Sequence, residues 1–117
     1  QCLLHNKERL WKTSVLADGT ARVHCNLPDP LRGVAANRTL GLVLAGDDGN
    51  SSLRGMGHTV SPQTFGHNGA AGQIAWADPA TGMSFAFCTS GVERNFLHEA
   101  RRTAALSSLA GNLPRPS

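Results

Sequence analysis

The chain has 117 residues, of which 40% are hydrophobic and 16% are charged, a composition that suits one small globular domain and excludes a disordered chain. Its net charge of +3 comes from dispersed basic residues and tyrosine is absent, so we expect no nucleic-acid partner. It contains no apolar run long enough to span a membrane and does not start with a signal peptide, so we expect no membrane partner.

The cysteine content predicts the redox environment. The chain contains 3 cysteines, Cys2, Cys25 and Cys88, and no C-x-x-C motif. An odd number without paired spacing makes a disulfide framework unfavourable, whereas a reducing compartment suits free thiols. We therefore expect a cytoplasmic location.

The N-terminal half of the chain combines a helix, a long loop and a strand. Residues 2–16 predict a short helix with a partial apolar face, and Asp18-Gly19 is expected to end it. Residues 20–36 predict a loop, because their Leu-Pro-Asp-Pro sequence excludes a helix. The apolar run over residues 39–45 predicts a strand that is buried on both faces.

A β-hairpin is predicted over residues 74–88. Trp76 is the large apolar side chain of its first strand, and the apolar residues of the second strand alternate with smaller ones, ending at Cys88, which we interpret as a small core residue. The intervening Asp-Pro-Ala-Thr-Gly predicts a tight turn. In such a turn Asp accepts backbone hydrogen bonds, Pro presets φ and Gly adopts positive φ.

The C-terminal residues predict a helix over 96–109, with Asn95 as its N-cap and Phe96, Ala100 and Ala104 on one face. The predicted fold class is therefore α+β, in which an antiparallel sheet of about three strands lies between an N-terminal and a C-terminal helix. We expect one domain over residues 1–117. Because so small a sheet leaves the hairpin incompletely covered, we expect a partner, either a missing N-terminal portion or another copy of the chain.

The glycine-rich stretch before the hairpin has two interpretations. The sequence Phe-Gly-His-Asn-Gly-Ala-Ala-Gly over residues 65–72 contains a polar pair, His67 and Asn68, among three glycines. It is either a glycine-kinked loop whose polar side chains cap turn backbone, or a strand whose backbone something approaches closely.

The H-x-G triplet, the D-P-x-x-G hairpin and the following helix, in that order, resemble the C-terminal part of the serine β-lactamase-like hydrolases. The resemblance is to the carboxylesterases related to class C β-lactamases and penicillin-binding proteins, and it spans about residues 39–113. It implies the C-terminal part of the β-lactamase/transpeptidase-like fold and an active-site position for the triplet.

The resemblance also implies roles for four residues. His67 would donate or relay a hydrogen bond, and the backbone N–H of Ala70 would be one of two oxyanion-hole donors. Asn68 and Gly69 would contact the substrate, with Gly69 leaving room for an acyl chain. Because imidazole is mostly neutral near pH 7 whereas lysine is charged, a histidine at the first position is expected to suit neutral esters.

Two motifs of these hydrolases are absent from the sequence. Neither Lys7 nor Lys12 follows a serine by three residues, so S-x-x-K is missing, and the tyrosine of Y-x-N is missing too. The resemblance therefore implies the C-terminal portion of a serine esterase or β-lactamase-like enzyme, acting on a small ester or amide without a cofactor. The alternative is a non-catalytic structural or interaction module that kept the sheet and lost the chemistry.

Other polar clusters predict no further site. His24, Cys25, His58 and His67 lack the spacing of a metal-binding module, so we expect no metal. The Asp-Asp-Gly-Asn sequence over residues 47–50 predicts a solvated turn rather than a calcium loop. Ser61 has no partner lysine and is not predicted to be a nucleophile.

Overall fold

Three α-helices, four β-strands and one 3-10 helix form the regular structure of residues 1–114, the part of the chain that the computed structural model describes. In chain order they are α1 (Cys2–His5), α2 (Thr13–Thr20), β1 (Val43–Leu44), the 3-10 helix (Ser51–Arg54), β2 (Phe65–Asn68), β3 (Ile74–Asp78), β4 (Met83–Phe87) and α3 (Phe96–Gly111). Within these residues no helix combines the length and apolar character needed to cross a membrane.

The four strands form one antiparallel sheet in the order β1-β2-β3-β4. This confirms the α+β class, but the sheet has four strands rather than about three, because the glycine-rich stretch contributes β2. Gly66 lies opposite Trp76 in the register. A Cβ atom on Gly66 would overlap the carbonyl oxygen of Ala75 and lie 2.6 Å from Trp76 Cβ, so the glycine makes room for the neighbouring strand.

The predicted boundaries of the N-terminal elements were only partly right. The helix predicted over residues 2–16 is two helices, because Asn6 ends α1 in the left-handed region at φ 44°. The next helix, α2, continues through Asp18-Gly19 instead of ending there. The strand predicted over residues 39–45 contains only β1, because Thr39 makes a tight turn in which its Oγ1 accepts a hydrogen bond from the Leu42 N–H at 3.2 Å.

The main core lies between the sheet and α3, with Trp76 at its centre. Trp76 is 3% exposed and its ring centroid lies 5.4 Å from that of Phe85, which confirms the predicted core position. The core residues are Val43, Ala45, Met56, Ile74, Trp76 and Ala110, with Val60, Met83, Phe85 and Phe87 packed against them. Cys88 was wrongly placed in the core: β4 ends at Phe87, and Cys88 is an exposed free thiol beyond it.

The N-cap prediction for α3 is confirmed, but its predicted packing face is wrong. Asn95 Oδ1 accepts a hydrogen bond from the His98 N–H at 3.1 Å. The buried residues of the helix are Glu99, Thr103, Ser107 and Ala110, whereas Phe96 is 49% exposed. Ser107 explains the difference, since its hydroxyl accepts a hydrogen bond from Trp76 Nε1 at 3.1 Å and donates to the Gly55 carbonyl at 2.9 Å. A polar face therefore packs here because it satisfies the buried indole.

The turn between β3 and β4 is anchored from inside the protein by Asp78. Its Oδ1 accepts hydrogen bonds from the Ser61 hydroxyl at 2.5 Å and the Ala80 N–H at 2.9 Å, and its Oδ2 accepts one from the Ser61 N–H at 3.0 Å. Burial, the largest single influence, raises the pKa of Asp78, but these hydrogen bonds together hold it below its ordinary value. Ser61 is thus a structural residue of this turn.

Arg54 is a buried cation that fixes the turn after β1. Its guanidinium donates to both carboxylate oxygens of Asp48 at 2.7 Å, to the Ala45 carbonyl at 2.7 Å and twice to the Ala35 carbonyl. The hydrogen bond from Arg54 is the main reason that the pKa of Asp48 lies well below its usual range. The turn predicted to be merely solvated therefore contains a bidentate ion pair.

Candidate active site

An open groove of about 770 Å³ lies beside the end of β2. Three segments form its walls: the loop over residues 25–38, the turn between β2 and β3, and the start of α3 with the residues just before it. All four residues that the sequence assigned to a site line this groove, namely His67, Asn68, Gly69 and Ala70. The fold thus brings the predicted residues together on one accessible surface.

The turn between β2 and β3 has few hydrogen bonds of its own. The Gly69 N–H donates to the Gln73 carbonyl at 2.8 Å, and Ala71 and Gly72 have positive φ angles of 69° and 108°. Gly69 and Ala70 are exposed, and no acceptor in residues 1–114 receives a hydrogen bond from the Ala70 N–H. This backbone donor is therefore available to a molecule in the groove.

His67 is exposed on the groove and both of its ring nitrogens have partners. Nδ1 lies 2.6 Å from the Asn68 carbonyl, and Nε2 lies 3.2 Å from Nη1 of Arg38. Because a carbonyl can only accept and a guanidinium can only donate, Nδ1 must carry the proton and Nε2 must accept. The hydrogen bonds thus run from Arg38 through the His67 ring to the backbone of β2.

Arg38 is a groove residue that the sequence analysis missed. It lies 29 positions before His67, and its main chain is held by pairing with Cys25, whose N–H and carbonyl both bond to it. Its guanidinium places a full positive charge beside the imidazole of His67. The groove is therefore more positive than the replacement of a lysine by a histidine at position 67 would suggest. The sequence signal, an arginine next to an apolar run, is too common to identify it.

Asn68 and Gly69 are placed differently within the groove. Asn68 is half-buried and also borders a second depression, between α3 and the 3-10 helix. A Cβ atom on Gly69 would lie 3.2 Å from Gln73 Oε1 and 3.3 Å from Gln73 Cβ. The space left by the missing side chain of Gly69 therefore faces Gln73.

The carboxylates of the groove wall are held by the chain's own donors. Backbone hydrogen bonds from Leu31 and Arg32 lower the pKa of Asp29, and the Asn95 N–H together with His98 lowers the pKa of Glu93. Both groups are therefore ionised near neutral pH and act as structural acceptors. These bonds hold the loop over residues 25–38 and the start of α3. The Ala70 N–H of the β2–β3 turn, in contrast, has no acceptor within residues 1–114.

The remaining candidate residues do not assemble into a second site. His24 contacts Asp18 at 3.2 Å, while the backbone N–H of His58 donates to the Ser108 hydroxyl on α3. Within residues 1–114 no group of three histidine, cysteine or acidic side chains could hold a metal ion. Cys25 is exposed and lines the groove, a position that its sequence context did not predict.

Comparison with known proteins assigns the family. A family model described as Beta-lactamase matches residues 13–110 of the 117-residue chain, a range that includes all three walls of the groove and the whole sheet. No curated protein gave a significant match. The match begins earlier than the resemblance predicted over residues 39–113, since it includes α2 and the loop that carries Arg38. The chain therefore belongs to the Beta-lactamase family.

Proposed function

We propose that this chain forms the substrate-side wall of a serine ester or amide hydrolase. The observation that carries the proposal concerns Ala70, an exposed residue that lines the groove and whose N–H has no acceptor in residues 1–114. A backbone donor aimed at a developing oxyanion typically contributes about 2.7–4 kcal/mol to transition-state stabilisation. Membership of the Beta-lactamase family makes this the natural role for such a donor.

His67 and Arg38 act together in this proposal. Arg38 donates to His67 Nε2, and the ring passes the polarisation on to the Asn68 carbonyl. The pair thereby orients the end of β2, from which the turn with the oxyanion donor begins, and places a charge at the groove wall. Asn68 and Gly69 border the bound substrate, which we expect to be a small ester or amide.

The nucleophile comes from another polypeptide segment in this proposal, because the sequence contains neither S-x-x-K nor a tyrosine. The open groove provides the surface on which that segment would dock. The reaction requires no cofactor, nucleic acid or membrane. The three free, exposed cysteines suit a reducing compartment, so we propose a cytoplasmic location.

A non-catalytic module is the second candidate, and one observation favours it. Both ring nitrogens of His67 are engaged by groups of this chain, so neither faces the groove with a free hydrogen-bonding position. In that case the triplet would serve only to hold β2 against the loop over residues 25–38.

Hydrolysis of a nitrophenyl acyl ester distinguishes the two candidates. The pure chain is expected to show no turnover, whereas mixing it with a family polypeptide that carries S-x-x-K and Y-x-N is expected to produce saturable turnover. A fluorophosphonate should then label the serine of the added polypeptide. Saturable turnover by the pure chain, with one of its own serines labelled, would contradict the proposal. Binding of the two polypeptides without any hydrolysis would favour the non-catalytic module.

A further inference from the structure

Arg54 is a buried cation outside the groove, and all of its hydrogen-bonding capacity is used. It is 3% exposed and is not one of the residues that line the groove. A guanidinium has a rigid fork of N–H donors, one on Nε and two on each terminal nitrogen. Two of them bond to the Ala35 carbonyl, two to the Asp48 carboxylate and one to the Ala45 carbonyl. The side chain therefore joins three separate segments of the chain with no donor to spare.

The bonds to Ala35 reach a wall of the groove from outside it. Ala35 lies in the loop over residues 25–38, whose two limbs pair with each other, with Pro28 opposite Ala35. Arg54 Nε and Nη2 donate to the Ala35 carbonyl at 3.1 and 2.7 Å. Because the limbs are paired, a restraint on Ala35 also restrains the limb that begins at residue 25 and lines the groove.

The restrained limb carries Arg38, the residue that contacts His67 in the groove. Arg38 lies three positions after the carbonyl that Arg54 binds, and its Nη1 lies 3.2 Å from Nε2 of His67. A backbone hydrogen bond from the Leu44 N–H to the Asn37 carbonyl, at 2.9 Å, attaches the limb to β1 beside Arg38. That bond alone would act as a pivot. Together with Arg54 it defines the direction in which the limb leaves the sheet.

We propose that Arg54 is a positioning residue, which holds the loop wall of the groove so that Arg38 contacts His67. The catalytic consequence rests on the proposed hydrolase function, whereas the position of the wall does not. The guanidinium fork binds Ala35 along one edge and Asp48 along another, whereas the ammonium of a lysine presents its donors at a single point. Arg54 thus acts through Arg38 and does not itself touch the substrate.

Two substitutions separate the position of the wall from the stability of the turn after β1. Arg54→Lys keeps a charge opposite Asp48 but loses the fork, so it should release the Ala35 carbonyl. Asp48→Asn removes the carboxylate but leaves the Arg54 donors that bind Ala35, so it is the matched control. Both variants should unfold at a lower urea concentration than the wild type, because both weaken the same turn.

The wall itself is measured by NMR on the folded chain. Arg54→Lys should shift the His67 Nε2 resonance, because the displaced Arg38 no longer donates to it. The Ala36 N–H belongs to the same peptide group as the released carbonyl, and it should exchange with solvent about tenfold faster or more. Asp48→Asn should leave both signals as they are in the wild type, although its stability is lower.

Ester hydrolysis by the chain combined with a family polypeptide that carries S-x-x-K and Y-x-N adds the catalytic measurement. Arg54→Lys should lower kcat/KM by about tenfold or more, and Asp48→Asn should match the wild type. An inactive wild-type mixture would contradict the hydrolase role alone, because the NMR signals still decide whether Arg54 positions the wall.

Unchanged His67 and Ala36 signals in a folded Arg54→Lys chain would overturn the proposal. Equal changes in Arg54→Lys and Asp48→Asn would overturn it too, as would an unchanged kcat/KM for Arg54→Lys in an active mixture. If Arg54→Lys did not fold, the Nε–H of Arg54 in the wild type would decide. Exchange as slow as that of the Ala36 N–H supports the restraint, and exchange at the rate of an exposed arginine excludes it.

Discussion

The two turns that flank β3 use their polar groups in opposite ways. In the β3–β4 turn the buried Asp78 carboxylate accepts three hydrogen bonds from Ser61 and Ala80. In the β2–β3 turn the Gly69 N–H bonds to Gln73, while the N–H of Ala70, a residue that lines the groove, has no acceptor within residues 1–114. Both are hairpin turns of one sheet, so the difference lies in the direction of their hydrogen bonds.

This difference suggests that the turn at one end of β3 serves stability and that the turn at its other end serves function. A turn whose donors and acceptors are satisfied inside the protein contributes to the free energy of folding. A turn that leaves a donor exposed contributes little to folding and retains hydrogen-bonding capacity for a ligand. We therefore expect substitutions near the β3–β4 turn to change stability, and substitutions in the β2–β3 turn to change activity.

The largest loss of stability is expected when the large core side chain of β3, the strand between the two turns, is truncated. Trp76→Ala leaves a cavity beneath α3 and removes the indole donor of Ser107, so it should lower the free energy of unfolding by about 3–5 kcal/mol. Urea unfolding at low protein concentration measures the loss. Trp11→Ala, at a residue 36% exposed, is the control and should cost under about 1 kcal/mol. Equal losses in the two variants would contradict a Trp76-centred core.

Removing the anchor of the β3–β4 turn should have the next largest effect. Asp78→Ala leaves the Ser61 N–H, the Ser61 hydroxyl and the Ala80 N–H without their acceptor, which should cost about 3 kcal/mol in total. Asp47→Ala changes an exposed aspartate and should stay within about 0.5 kcal/mol of the wild type. A similar small change for Asp78→Ala would show that this turn is not held from inside.

Acid should erase part of this stabilisation. The pKa of Asp78 in the folded chain lies below the ordinary value of 3.8, so its carboxylate stabilises the fold above that pH, and the benefit is lost as the pH falls through the folded-state pKa. The stability difference between the wild type and Asp78→Asn should hold from neutral pH to about pH 5 and shrink below pH 3.8. Urea unfolding of both proteins across this range measures it, and a difference that grows in acid would be inconsistent with a lowered pKa.

The smallest change in stability is expected at the end of β2, next to the β2–β3 turn. His67→Ala removes an exposed side chain whose partners, Arg38 and the Asn68 carbonyl, can both be hydrated, so the free energy of unfolding should change by no more than about 0.5 kcal/mol. Arg38→Gln is expected to behave similarly. A loss above about 2 kcal/mol for His67→Ala would instead indicate that the triplet is a structural cap.

Local sequence patterns predicted the β3–β4 hairpin, its turn and the N-cap of α3, because their interactions are short-range. Asp78 binds Ala80 two residues away, and Asn95 binds His98 three residues away. β2 was harder to recognise, since Gly66 is unfavourable in an isolated strand. Glycine is needed at this position because Trp76 lies directly opposite on β3 and leaves no room for a side chain.

Two of the errors concern contacts between distant residues. The packing face of α3 was wrong because Ser107 is buried by its bonds to Trp76 and Gly55, which lie 31 and 52 positions away. Arg38 was missed in the groove because it meets His67 through a loop whose path no local pattern predicts. The four site residues were recognised by resemblance, and the structure adds that all four line one groove.

The role of the end of β2 and of the turn that follows it is tested most directly by the activity of the chain combined with a family polypeptide that carries S-x-x-K and Y-x-N. Ester hydrolysis is measured for the wild type, for His67→Ala and for Ala80→Ser, an exposed substitution in the other turn. If this segment is an active-site element, His67→Ala should lower turnover by about a hundredfold while its unfolding free energy is unchanged, and Ala80→Ser should match the wild type. Full turnover by His67→Ala would contradict the active-site assignment.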